Sequence, residues 1–567
     1  MKLFKQLLVA PAALGLLAPV ATQAAELNMD AIKKYSSLSS KEQVTSISQF
    51  SDVQPTDWAY QALSNLIERY GCVAGYPNGT YQGGKAMSRF EAAALLNACL
   101  DRVSEVTDEL KRLMAEFEKE LAVLKGRVDG LEAKVGVLEA QQFSTTTKLQ
   151  GDMTFVIGGL GYGGSSTTTP NAPANTFRNR NPQTGALQNT VANNGISFNY
   201  DMRLNLSTSW TGKDLMYTRL RSGNFGNTPF NGGAIPTARL DKASQGPGGA
   251  GAATVFVDRL WYRFPVGKEL TFTVGPIARN TEILAFRPQA YNADILDFFT
   301  LSGAPGAYNK ATGAAAGVVW KQNVAKGKPY LTASATYVAQ NGANGDPNMG
   351  GLFSAYGANN FNFQIGGRGK NWGVAANYRY GTCGTSLRDG TPIAVANLAC
   401  NNATGAAGNN GSTNSLGLGA YWQPLKSGLI PSISVGWGYT GYSQSAAIPA
   451  VANQASNSYL NAAAAQSWSA MFQWSDVFAK GNAAGFAFGQ PTMITATRNG
   501  MGMNEGNYAF EWWYRFRVSN NISITPAIFY LSNTLGQSTQ ANGVTGGVTN
   551  GNTLNNLGVI VQTNFRF

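Results

Sequence analysis

Leu557-Gly558-Val559-Ile560-Val561-Gln562-Thr563-Asn564-Phe565-Arg566-Phe567 closes the chain, and its alternation decides the fold. From Val559 onward one parity reads Val559, Val561, Thr563, Phe565 and Phe567, and the other reads Ile560, Gln562, Asn564 and Arg566. Alternation of this kind gives a strand with two unlike faces, one apolar and one mostly polar. A soluble sandwich would bury the apolar face in a core. Here that face ends in two aromatics, and the chain upstream is rich in glycine. This suits the closing strand of a transmembrane barrel, whose apolar face meets lipid and whose polar face meets a lumen.

Composition points the same way. The chain has 567 residues, with 66 glycines, 11% aromatic residues and only 13% charged residues, against about 25% charged in soluble domains. Its mean hydropathy is −0.15, and past the N-terminus no run approaches the ~18 apolar residues of a spanning helix. A membrane protein without such helices spans as a closed barrel, because lipid satisfies no backbone groups. The net charge of +12 fits a membrane-surface protein, and nucleic acid is not an expected partner of an exported chain. There is no histidine, so the commonest catalytic base and metal ligand is missing. No G-x-S-x-G element or metal-ligand spacing stands out, and neither an enzyme, a cofactor nor a metal is expected.

From residue 143 to 567 the chain turns to Gly, Asn, Ala, Thr and aromatics. Ile196, Phe198, Tyr200, Met202, Leu204 and Leu206 alternate with Ser197, Asn199, Asp201, Arg203 and Asn205. Leu260, Tyr262 and Phe264 oppose Arg259, Trp261 and Arg263, while Phe510, Trp512, Tyr514 and Phe516 oppose Glu511, Trp513, Arg515 and Arg517. Short breaks such as Thr211-Gly-Lys213 and Ser519-Asn-Asn521 join some strands, and long Gly/Asn/Ala tracts separate others. That two-ended asymmetry points to an outer-membrane barrel, and about 420 residues at ~25 per strand and loop give about 16 antiparallel strands, within a range of about 14 to 18. The polar parity carries Arg203, Arg259, Arg263, Arg515 and Arg517, with Arg219 and Arg221 as further candidates, and few acids. A lumen lined by one sign of charge concentrates the opposite ion, so these arginines predict a pore preferring small inorganic anions. The competing expectation is that they pair across the wall and brace it. Inward Trp261 and Trp513 raise a third, stacking on sugars. The run Tyr291-Asn-Ala-Asp-Ile-Leu-Asp-Phe-Phe299 breaks the alternation, as either a loop folded into the pore or a bulged strand or surface loop.

The first part of the chain is organised differently. Residues 1–24 read as an export signal, with Lys2 and Lys5 before a short apolar stretch and Thr22-Gln-Ala24 as cleavage site. Residues 25–49 form a polar leader. In an exported chain the two nearby cysteine pairs, Cys72 with Cys99 and Cys383 with Cys400, read as two disulfides. Residues 101–142 carry Val103, Val106, Leu110, Leu113 and Phe117, then Leu121, Leu124, Val128, Leu131, Val135 and Leu138, the spacing of a coiled coil. Its valine and leucine seam does not separate dimer from trimer.

Between leader and coiled coil, residues 50–100 hold Phe50-Ser-Asp-Val53, a helix opening at Asp57-Trp58-Ala59, Gly75-Tyr-Pro-Asn-Gly-Thr-Tyr81 and Ser88-Arg-Phe-Glu91. This pattern resembles the S-layer homology domain, with Asn78 and Ser88 in place of that family's usual aspartate and threonine. The resemblance implies binding to peptidoglycan-linked polysaccharide, often pyruvylated, with Arg89 holding the anion at a helix N-terminus and Trp58, Asn78 and Gly79 shaping the sugar pocket. A single module, where wall-binding chains commonly carry three, implies a homotrimer. The whole order of signal, module, coiled coil and barrel resembles the cyanobacterial major outer-membrane porins (Som type), whose barrels are OprB-like. That resemblance implies passive diffusion of small solutes across the outer membrane, with the N-terminal module held in the periplasm. The alternatives are a structural tether with an occluded barrel, or a carbohydrate-selective porin.

Overall fold

The computed structural model describes residues 146–567 except 166–175, 181–186, 247–253, 397–410, 444–461, 499–504 and 537–552, together with scattered earlier residues such as 46–49 and 51–54. By contacts the chain divides into two units, Met1–Gln142 and Phe143–Phe567. In the first, Ile47–Gln49 form a single 3-10 turn, and Ile47 and Ile67 are buried. The expected wall-binding residues Trp58, Asn78, Gly79 and Arg89, with Cys72, Cys99 and nearly all of the 101–142 stretch, lie outside the described residues.

The second unit is a closed antiparallel barrel of 16 strands, as the alternation and the short-turn, long-loop rhythm predict. In chain order its elements are β1 (Thr147–Gly163), a hairpin β2 (Thr176–Arg180) and β3 (Leu187–Val191) outside the wall, then β4 (Ser197–Thr208), β5 (Leu215–Gly223), β6 (Phe256–Val266), β7 (Leu270–Arg279), β8 (Thr312–Lys321) and β9 (Tyr330–Ala339). The circuit continues with β10 (Asn359–Arg368), β11 (Trp372–Gly381), β12 (Ser412–Trp422), β13 (Ser432–Ser443), β14 (Ala462–Ser475), β15 (Ala483–Thr497), β16 (Tyr508–Arg517), β17 (Ile522–Ser532) and β18 (Asn555–Arg566). The terminal strand closes the ring, pairing with β17 on one side and β1 on the other, from Asp152↔Arg566 to Gly163↔Asn555.

Period-two patterning sets which side each residue meets. On β18, Leu557, Val559 and Val561 are exposed, whereas Asn556, Gln562 and Asn564 are buried on the other face. An outward apolar row and an inward amide row are what a lipid-facing wall around a polar interior requires. The inward face is not polar throughout. Ile560, Phe529 and Leu531 join Phe225, Phe230, Leu240, Ile295, Leu296, Phe298 and Phe299 in one cluster inside the barrel.

Two long connections supply that cluster. The β5–β6 and β7–β8 connections turn inward and pair with each other through Leu240↔Leu296, with Asp241 N donating to Ile295 O at 2.9 Å and Asp297 N to Arg239 O at 2.9 Å. Of the two readings of the run beginning at Tyr291, the structure takes the first: the segment folds into the barrel.

Candidate functional site

The lumen wall is built from the inward parity of the strands, and its charge is gathered on one side. On β4, Asp201 is buried and accepts from both nitrogens of Arg203, at 3.2 Å each. From β5, Arg221 Nε reaches the same carboxylate at 3.0 Å, with Nη2 on its other oxygen. The antiparallel register aligns these residues, because Arg203 lies opposite Arg221, and Arg219 opposite Arg259. Asp258 takes Arg259 at 3.1 Å, Arg219 at 3.6 Å and Arg221 at 3.7 Å. Arg259 also reaches Glu282 at 2.8 Å, just past β7.

The row continues toward the short turns with less acid. Arg263 donates to Thr273 Oγ1 at 3.0 Å and to the Glu282 carbonyl at 2.6 Å, and lies 4.5 Å over the ring of Trp261. Trp261 in turn stacks on Tyr217 at 4.9 Å. Arg279, at the other end of β7 away from the short turns, donates to Thr312 Oγ1. Neither Arg263 nor Arg279 has a carboxylate within ion-pair distance among the described residues.

The opposite wall holds the folded-in segment. Glu511 on β16 accepts from the Tyr291 hydroxyl and from Leu296 N, both at 2.7 Å, and Trp513 Nε1 donates to the Tyr291 oxygen at 2.6 Å. Arg515 caps the Asn292 and Ala293 carbonyls at 2.6 and 3.1 Å. Farther along, Asn362 and Asn377 both donate to Ala307 O, Arg379 donates to Gly306 O, and Ser467 donates to Gly303 O.

A second set of charges joins loops rather than strands. Asp297 is wholly buried between Lys310 and Arg388, and Lys310 also reaches Asp241 at 2.6 Å. Asp389 lies 3.7 Å from Arg239 and 3.8 Å from Arg388. Burial pushes the Asp389 carboxyl well up, the neighbouring Asp297 adding to it. Burial also raises Asp297, but Arg388 and Lys310 outweigh it and hold that group below the usual carboxylate range.

The structure brings Arg203, Arg219, Arg221, Arg259 and Arg263 into one row on β4, β5 and β6. It sets Arg515 against the folded-in segment, and leaves Arg517 at the rim donating to Asn520 Oδ1 at 2.5 Å. Trp261 and Trp513 are both buried, each with a ring face under an arginine. Cys383 is in a disulfide, and Cys400 lies outside the described residues. Sequence reasoning did not single out Arg279, Asp258 or Glu282, although Asp258 and Glu282 sit on or beside the arginine-bearing strands. It also missed Lys242, which ties the β5–β6 connection to Asp152 at 3.2 Å.

Residues 105–553 match the family model described as carbohydrate-selective porin, OprB family. The chain belongs to that family. The OprB-family barrel is preceded by an S-layer homology domain, matched over residues 49–93, and the protein is an outer-membrane porin. Two full-length relatives are cyanobacterial. A protein of Nostoc sp. named only as uncharacterized is 35% identical, over 89% of this chain and 85% of its own. A Synechocystis sp. protein with the same wording is 31% identical, over 87% of each. Outer membrane protein SlpA of Deinococcus radiodurans is 34% identical over 14% of this chain and 8% of its own. Among solved structures, Pseudomonas putida OprB covers 74% of this chain and 94% of its own, at 11% identity and a TM-score of 0.43.

Proposed function

We propose that this OprB-family porin passes small solutes passively with a preference for small inorganic anions such as phosphate, nitrate, sulfate or bicarbonate. The observation that carries the reading is the β4–β7 arginine row. Arg203, Arg219, Arg221, Arg259, Arg263 and Arg279 outnumber Asp201, Asp258 and Glu282, and of the six Arg263 and Arg279 have no carboxylate within ion-pair distance among the described residues. Surplus fixed positive charge on a confined wall raises local anion concentration and repels cations. The partial pairing also supports a bracing role for Asp201 and Asp258, so selectivity rests on the surplus rather than on every arginine. A salt-gradient reversal potential on the purified protein in planar bilayers tests the reading. A potential of the anion-permeable sign that shrinks in R263Q supports it. A cation-permeable sign, or no conductance, overturns it, and no conductance leaves the tether as the main role.

The second reading is sugar passage, favoured by the family's description. Trp261, stacked on Tyr217 beneath Arg263, and Trp513, bonded to Tyr291, are engaged within the wall, which argues against a stacking path on those two rings. Liposome swelling in glucose against mannitol, neutral solutes of nearly equal size, separates the two readings, because an arginine-lined anion pore shows no preference between them.

The N-terminal S-layer homology domain, set in the periplasm, tethers the outer membrane to peptidoglycan-linked polysaccharide. Arg89 holds the polysaccharide anion, Trp58, Asn78 and Gly79 shape its pocket, and the 101–142 coiled coil spaces the module from a trimer of barrels. Loss of co-sedimentation with wall sacculi in Arg89→Ala is the expected result, and unchanged sedimentation removes that assignment. Crosslinking of the full chain tests the trimer.

A further inference from the structure

Lysine is distributed unevenly over the barrel. Lys242 and Lys310 are buried inside, whereas Lys148, Lys213, Lys268, Lys321, Lys326, Lys328, Lys370, Lys426 and Lys480 all stand at the end where the short turns lie. Five of these converge. Lys268 from the β6–β7 turn, Lys321 at the end of β8, Lys326 and Lys328 from the β8–β9 turn, and Lys370 from the β10–β11 turn line one pocket of about 350 Å³. Among the described residues, the lysines with a carboxylate partner are Lys242 and Lys310. The acid nearest in sequence, Glu269, is occupied by neutral donors, accepting from Trp320 Nε1 at 3.0 Å and Asn323 N at 2.8 Å. Lys321 lies 4.5 Å over the ring of Tyr330. None of the five lysines has a carboxylate within ion-pair distance among the described residues, and the single charge of Glu269 beside them leaves the pocket strongly net positive.

The same strands carry an apolar groove of about 520 Å³ on their outward face, whose near end at Leu270 is two residues from Lys268, whereas Lys321, paired with the buried Thr332, stands on the inward parity. Ala333, Ala335 and Ala376 form its floor, and Trp320, Phe363 and Ile365 its sides. The register makes this one surface, because Trp320 lies opposite Ala333, Ala333 opposite Ile365, and Ile365 opposite Ala376. On β9 the groove takes residues 333–335, and it reaches across the wall from Leu270 on β7 to Leu416 on β12, five interstrand steps of about 4.8 Å each.

We propose that this pocket and groove form one binding site for an anionic glycerophospholipid of the leaflet that faces the short turns, the lysines holding the phosphate and the groove holding an acyl chain. Charge complementarity selects the ligand. A cation cluster at headgroup depth favours a phosphodiester, and an apolar channel opening from its edge favours a chain attached to that phosphate over a free anion. The inference rests on the outer-membrane porin reading but not on anion selectivity, since it concerns the outside of the wall.

The test uses the full-length protein in detergent micelles doped with phosphatidylglycerol or phosphatidylcholine of identical chains, with retained lipid counted by native mass spectrometry. Wild type is expected to retain phosphatidylglycerol over phosphatidylcholine, and K268Q/K326Q/K328Q to lower that retention by roughly 10- to 100-fold. The control K426Q/K480Q, at the same rim on other turns, should leave it unchanged. Ala335→Trp, which fills the groove, should reduce retention of both lipids while heat-modifiable gel mobility shows an intact barrel. Equal retention of the two lipids by wild type overturns the proposal. So does equal loss in both lysine variants, which would mean a diffuse basic rim. Unimpaired retention in Ala335→Trp, with competition by glycerol 3-phosphate, would reduce the site to an anion pocket. A changed oligomer peak in that variant with unchanged lipid would give the groove to a second copy of the chain.

Discussion

Glu511 on β16 and Tyr291 in the folded-in segment are joined by a 2.7 Å hydrogen bond spanning 220 residues of sequence. The same carboxylate takes Leu296 N on its other oxygen, so one side chain fixes both the approach and the turn of the segment. In Glu511→Ala two buried donors lose their acceptor, each at a cost of about 1–3 kcal/mol. The expected outcome in single-channel recordings is larger current fluctuation than in wild type. Glu511→Gln keeps an acceptor and should fall between the two.

Gly436 on β13 sits where the segment passes closest to the wall. A Cβ there would overlap the Ser302 carbonyl oxygen at 1.7 Å, and across the contact a Cβ on Gly303, φ +67, would meet the Gly436 carbonyl oxygen at 2.5 Å. Neither backbone can yield without the other moving. Gly436→Ala should therefore displace the segment, raising conductance and exposing residues 297–306 to protease, while Gly428→Ala, whose Cβ meets open space, changes neither.

Asp201 and Arg263 should move selectivity in opposite directions. Asp201→Asn frees Arg203 and Arg221 from their shared carboxylate, increasing the uncompensated positive charge. Its reversal potential should shift further to the anion side, and that of Arg263→Gln toward neutrality. Removing one partner of a buried ion pair is also destabilising, by roughly 3–5 kcal/mol. Asp201→Asn should thus lose its heat-resistant gel mobility at a lower temperature than Arg263→Gln.

The barrel was legible because its strands obey a local rule. Two-residue alternation in segments such as 196–206 and 557–567 gives the outward and inward faces directly, and short and long breaks give the strand count. The lumen was legible only where it is made of strand. Arg203, Arg259 and Arg263 show themselves by parity, but Asp297, Lys310, Arg388 and Asp389 lie in irregular connections, where no periodicity says which way a side chain points. Their meeting depends on long-range closure, residues 297 and 388 being brought together by the ring and not by sequence. Trp513 shows the limit of parity. Alternation turns it inward, but only the position of Tyr291 reveals that it supports the segment.

The loop charges make a pH-dependent latch with a definite sign. The groups facing Asp389 are Asp297, Arg388 and Arg239, with Lys310 and Asp241 behind Asp297. Burial and the Asp297 carboxylate raise the Asp389 pKa, so the folded loop holds a proton there that an unfolded one releases. Stability from this group is fully present below the ordinary carboxylate pKa and is lost as pH rises through the raised value. Asp297 and Asp241 go the other way. Burial opposes them, but Arg388 and Lys310 around Asp297, and Lys310 and Arg203 around Asp241, hold both below the usual range. Their share is lost only in strong acid. Among these three loop carboxyls the titration above the ordinary carboxylate range therefore belongs to Asp389, whose carbonyl accepts from Thr492 N at 3.0 Å while Thr391 N donates back to Thr492 O at 2.9 Å. Hydrogen exchange of residues 388–395, followed from about pH 5 to pH 9 and corrected for intrinsic rates, should show protection falling with pH in the wild type. Asp389→Asn, neutral throughout, should keep its protection at the alkaline end. A wild-type profile as flat as that of Asp389→Asn would mean that Asp389 stays in one protonation state and that the latch does not titrate.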